Sequence, residues 1–159
     1  MSTAVAHRLV TGTPFSALTG AKTVLMAIAP AGHGLTLTEI TVSMDGVTAS
    51  AVPALIEIVT STQGAAGTSG VAPTITQVRG RATGGSAPTG GSNYTVEPTT
   101  LVSVWRAYEP QFMGFAVYQL PLGREIECDS SAGTIKALGV RITTSATVNV
   151  VATMEVENL

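Results

Sequence analysis

The sequence predicts an all-β domain, an antiparallel β-sandwich or barrel of about eight strands. Three observations carry that expectation. Residues 133–159 alternate with a period of two, first Leu138, Val140 and Ile142 against Gly139, Arg141 and Thr143, then Val148, Val150, Ala152, Met154 and Val156 against Asn149, Val151, Thr153, Glu155 and Glu157. Successive side chains of a strand point to opposite faces, so each run has one face to bury. Turn-forming Gly, Pro, Asn and Asp recur along the chain, and no stretch holds the apolar spacing of a helix. With Thr144 and Ser145 between the two runs, the C-terminal third reads as two antiparallel strands joined by a tight turn. A lone hairpin is marginal in water, so the remainder of the chain has to cover it.

Taken in order, residues 1–20 alternate poorly and carry Gly12, Pro14 and Gly20, which predicts an extended N-terminal arm ahead of a single domain over 21–159. Its Val5, Leu9, Val10, Phe15 and Leu18 are too many apolar residues for a solvated tail. They dock either on the chain's own core or on a neighbouring subunit, which makes Phe15 and Leu18 interface candidates. Residues 23–29 form a short strand ended by Pro30 and the Ala31-Gly32-His33-Gly34 turn. Residues 35–44 form the next, with Ile40, Val42 and Met44 facing the core. Asp45-Gly46 is a strong turn signal, but a spacer containing Pro53 separates it from the strand at 54–60, which leaves two readings open, a hairpin or a crossing from one sheet to the other. Residues 61–92 are rich in Gly, Ala, Ser, Thr and Pro, and predict one short strand at 74–79 between two mobile or partner-ordered loops, the second of which, 80–92, has the composition of a flexible linker. Strands at 100–108 and 114–119 flank Glu109-Pro110, and a short one at 124–128 precedes a loop over 129–133.

Composition narrows the class of function. Charged residues make up 11% of the chain, against about 25% in an ordinary domain. With a net charge of -2, little repels a neighbour, which suits a protein packed against copies of itself or a partner. The eight Lys and Arg are scattered, so phosphate neutralisation and nucleic-acid binding are not expected. The longest apolar run, 24–31, falls well short of a membrane-spanning helix. One cysteine and an N-terminus without an apolar leader core point to folding in a reducing cytoplasm.

Catalytic chemistry finds little to work with. His7 and His33 are far apart, with no acid or thiol at ligand spacing, so neither a metal nor another cofactor is expected. Cys128 lies between Glu127 and Asp129, which disfavour a thiolate, and reads as a small buried strand residue. Gly67-Thr-Ser-Gly70 lacks nucleophile-elbow spacing, and the Gly84 to Gly91 stretch lacks the Lys of a phosphate loop. Asn93-Tyr94-Thr95 is a glycosylation acceptor only in a secreted chain. Glu155 and Glu157 read as a solvated strand face. No enzyme and no small-molecule substrate are expected. Five of the seven aromatic residues fall between Trp105 and Tyr118. Trp105 and Phe115 read as core, while Phe112 and Met113, just past Pro110, read as an exposed contact. Trp105, Tyr108, Phe112 and Met113 therefore join the interface candidates.

The segments Ile40-Thr-Val-Ser-Met-Asp-Gly46 and Pro53-Ala-Leu-Ile-Glu-Ile-Val-Thr60, with Gly67-Thr-Ser-Gly-Val-Ala-Pro-Thr74, Glu97-Pro98-Thr99, Leu138-Gly-Val-Arg141, Ala146-Thr-Val-Asn-Val150 and Met154-Glu155, resemble small virion proteins of tailed bacteriophages. Within that class the chain is most similar to capsid decoration, or cement, proteins with a jelly-roll domain. The resemblance runs from about Leu35 onward and rests on strand and turn patterns. It implies a homotrimer on the outer capsid surface, made in the host cytoplasm and clamping neighbouring copies of the major capsid protein. An alternative of another class is a receptor- or carbohydrate-binding jelly roll of a phage tail or fibre, using Trp105-Arg106 and Asn93-Tyr94. A tail-tube or neck component is a third.

Overall fold

The computed structural model describes residues 5–46, 52–63, 66–80, 87–130 and 135–159. Among the described residues eleven strands form one continuous antiparallel sheet that curls back on itself: β1 (Ala6–Val10), β2 (Phe15–Ile28), β3 (Gly34–Gly46), β4 (Ala54–Ser61), β5 (Thr68–Val71), β6 (Thr74–Arg79), β7 (Thr89–Val96), β8 (Leu101–Glu109), β9 (Phe115–Gln119), β10 (Ile126–Asp129) and β11 (Ala137–Asn158). The all-β, sandwich-like architecture is the one the alternation predicts. The strand at 74–79 stands where expected.

The C-terminal third differs from the expected hairpin. It is one strand of 22 residues, and the rest of the fold is arranged along its two edges. On one edge β2 pairs from Ala137↔Ile28 to Val150↔Phe15, and β1 continues from Thr153↔Val10 to Glu157↔Ala6. On the other, β4 pairs with residues 137–143 and β3 with residues 148–158. The partner changes at Thr144–Thr147, and there the register with β2 also slips. Opposite Thr144 lies Gly20, at φ +74°. That conformation is strained for any residue with a Cβ, and here it lets β2 turn the same corner as β11. Thr144 and Ser145 mark a bend between layers, where a strand passes from one to the other, instead of a reversal.

The bend places two half-sheets face to face. One half holds β8, β4, the first part of β11, β2, β7 and β5; the other holds β9 and β10, β3, the second part of β11, β1 and β6. Between them Ile56, Ile58, Leu138, Val140 and Ile142 meet Leu9, Ile40, Val42, Val148, Val150, Met154 and Val156 in a single buried cluster. A smaller cluster of Met26, Tyr94 and Ala137 lies apart from it, with Ile28 and Leu101 packed alongside.

Two further expectations give way. Residues 6–10 and 15–20 of the N-terminal stretch are strands inside the sheet, and Leu18 is fully buried, so it serves the core and no interface. Phe15 is half-buried against that core. Within 61–92, Thr68–Val71 and Thr89–Val96 are strands where loops were expected. The glycines there answer a packing demand: a Cβ at Gly90 would collide with the Met26 carbonyl oxygen across the β2–β7 ladder. A Gly-rich strand and a flexible linker share a composition, and only the neighbour distinguishes them. Parts of both loops, and of the expected loop at 129–133, lie outside the described residues.

Candidate interaction surfaces

The chemistry of this molecule is concentrated where β8 turns into β9. These two edge strands belong to opposite half-sheets. Trp105 on β8 is partnered with Ile58 of β4, Tyr118 on β9 with Ile40 of β3, and both rings pack on the core. Their centroids lie 4.4 Å apart with planes 28° from parallel. The stack draws the two edges together from their inner faces. Because a strand alternates, Val104 and Arg106 then point out from one half-sheet, and Val117 and Gln119 from the other.

The connecting turn, residues 110–114, is pinned by a residue that sequence reading did not single out. Gln111 is fully buried. Its Nε2 donates to the Val52 carbonyl at 2.5 Å and to Ser145 Oγ at 2.9 Å, and its Oε1 accepts from the Ala146 amide at 3.1 Å. One side chain thus satisfies backbone groups at the corner of β11 and fixes the turn to it. A second tie runs from the Met44 amide to the Gly114 carbonyl at 2.8 Å. Held at both ends, the turn presents Phe112, 51% exposed, and Met113, 74% exposed, as an apolar knob. Met113 sits at φ +54°. A bulky residue in the left-handed region costs about 1–3 kcal/mol, and such strain collects at functional positions.

Exposed apolar side chains continue on both sides. Phe115, expected in the core, is 61% exposed, because it pairs with Ser43 on the outer face of β3, and Val117 lies two residues on. Across β3, Ser43 pairs in turn with Val151 of β11, so Phe115, Ser43 and Val151 form one outward row. Ser43 and Val151 of this row also line an open groove of about 530 Å³, with Pro14 and Ser16, Met44 and Asp45, and Asn149. On the opposite half-sheet Val102, Val104 and Tyr108 form a second exposed stripe along β8. Of the six candidates from sequence, Tyr108, Phe112 and Met113 are at the surface, Trp105 is occupied by Tyr118, Phe15 supports the core and Leu18 lies within it. Alternation alone could have found Phe115, since Ala116 and Tyr118 take the inner positions of a short edge strand.

Ionisable groups are tied into cross-strand pairs. Glu57, nearly buried, accepts from Arg106 Nε at 2.9 Å and lies 3.9 Å from Arg141. The bulge at Val24 leaves the Thr23 amide facing the Glu97 carboxylate, which also accepts from Thr23 Oγ1 at 2.6 Å. Glu155 pairs with Arg8 on the adjoining β1, and Glu157 reaches across β1 to Arg79 of β6. His7, inside β1, has its Nδ1 buried without a partner, and desolvation lowers its pKa. Cys128 is buried on β10, where desolvation outweighs an opposing backbone hydrogen bond from Leu35 and, with a smaller contribution from Asp129, pushes its thiol up to about 11. Among the described residues no three His, Cys, Asp or Glu side chains are arranged to hold a metal ion, and no helix is long and apolar enough to cross a membrane.

Compared with family models, curated proteins and solved structures, the chain finds no match.

Proposed function

We propose that this chain is an adhesive structural protein of a tailed-bacteriophage virion, one that sits as an oligomer on the outer capsid surface and ties neighbouring major capsid protein subunits together. The observation that carries the reading is the pair of apolar surfaces facing opposite ways from one rigid β body: the β8 stripe on one half-sheet, and the knob with Phe115 and Val117 on the other. A cement needs at least two contact surfaces, since a molecule with one can cover a lattice but cannot link its members. Modest contacts then add through multivalency. Low charge helps, because few ions must be dehydrated when such surfaces close. The function is binding without turnover. The carbohydrate-binding alternative draws no support from its nominated platforms, since Trp105 is stacked on Tyr118 and Tyr94 is buried.

The test is cosedimentation of the full chain with expanded bacteriophage capsids, followed by heating to measure shell rupture. The wild-type chain pellets with the shells and raises their rupture temperature. Val104→Glu combined with Tyr108→Glu, both exposed and so compatible with folding, weakens pelleting by tenfold or more, on the order of a lost interface anchor. Failure to pellet with any shell, together with saturable binding to a glycan, would replace this reading with the receptor-binding one.

A further inference from the structure

We infer that the face carrying the Phe112–Met113 knob binds a second copy of this chain, as a two-fold pair in which each knob enters the other's groove. The inference rests on the adhesive reading and assigns one of its two surfaces, leaving the β8 stripe for the shell.

Four observations select a second copy. The knob and the groove stand side by side on one chain: the Gly114 carbonyl at the base of the turn accepts from the amide of Met44, itself a groove residue. Phe115, Ser43 and Val151 connect the two as one row across adjacent strands. A two-fold axis through a face bearing both halves of a complementary contact makes that contact twice, whereas a foreign partner would have to supply both shapes itself. Charge does not oppose the arrangement, because Asp45 is the single ionisable residue among the described residues that line the groove. Finally, the turn is already ordered by Gln111, so inserting the knob costs little conformational entropy. Met113, strained in the left-handed region, is held outward in the free chain.

The arrangement also bears on symmetry. A three-fold ring is built from heterologous contacts, with knob and groove on different sides of each subunit. Adjacent halves on a single face close by a two-fold axis, so the structure favours a pair over the homotrimer that the resemblance implies.

Sedimentation velocity and native mass measurements on the full chain, without capsids, test this directly. The expected species is a dimer whose dissociation constant rises tenfold or more in Met113→Glu and in Val151→Glu. Both side chains are exposed, and an unchanged melting curve verifies folding. Cysteine pairing supplies the second readout, with little background because Cys128 is buried. A mixture of Met113→Cys and Val151→Cys chains forms an intermolecular disulfide under mild oxidation, and each variant alone forms far less. A monomer at every concentration, a trimer, or a dimer indifferent to both glutamate substitutions overturns the inference. Its failure is distinguishable from that of the adhesive role: a monomer that still pellets with shells removes only the pair, and a dimer that ignores every shell removes only the cement.

Discussion

Replacing Gln111 with Ala isolates the energetic worth of the corner in β11. The substitution deletes three hydrogen bonds, to the Val52 carbonyl, to Ser145 Oγ and from the Ala146 amide. Each neutral bond contributes about 1 kcal/mol net. Leaving the Ala146 amide unsatisfied in a site where Gln111 is fully buried adds about 1 kcal/mol more. Releasing the glutamine from one rotamer returns about 1–2 kcal/mol. The expected loss is therefore about 2–3 kcal/mol, or a fall of about 5–10 °C in melting temperature for a chain of this length. Urea denaturation followed by tryptophan fluorescence reads it, since Trp105 is the single tryptophan and reports on the adjoining edge. Gln111→Met, which keeps the length and removes the polar ends, should lose nearly as much. A loss below about 0.5 kcal/mol in both variants would show that the bonds are replaced by water, and that the turn is held by packing alone.

Three other outcomes follow from burial. His7 has a folded-state pKa below its ordinary 6.5, so the unfolded chain takes up the proton first; stability is complete above that value and falls as pH drops through it toward the folded pKa. His7→Gln should flatten this part of the denaturation profile, and a profile unchanged by the substitution refutes it. Glu57→Gln removes the charge shared by Arg106 and Arg141, and should cost about 2 kcal/mol in chemical denaturation, discounted from the figure for a fully buried pair because Arg106 is largely exposed. The Cys128 thiol, buried and raised to about 11, should resist iodoacetamide at neutral pH in the folded chain and react rapidly in urea. Equal rates in both states would contradict its placement.

The inward residues of β11 and of the second part of β3 were legible because the period of two depends only on the pleat. Ile40, Val42, Met44, Val148, Val150, Ala152, Met154 and Val156 all lie in the core as their alternation predicts. What separated the bend from a hairpin was also present: even-numbered residues face inward on both sides of Thr144–Ser145, and the pair lacks the Gly, Asn or Asp that a two-residue hairpin turn favours. The Gly-rich strands were not legible, because the requirement on Gly90 comes from Met26, distant in sequence. The surface was read in part. Phe112 and Met113 could be placed by Pro110 and the turn, whereas Gln111, an ordinary polar residue between Pro110 and Phe112, acquires its role only when the β11 corner arrives beside it.

The arrangement around β11 sets an order for assembly. This strand follows the other ten in sequence, yet it provides an edge for β1, β2, β3 and β4. Until it emerges from the ribosome those four have no shared template, and their backbone groups remain open to chance pairing with other nascent chains. Folding is therefore expected to await β11 and to be slow, as closure of distant segments dictates. Chains interrupted before Ala137 should appear as aggregates instead of as smaller folded cores.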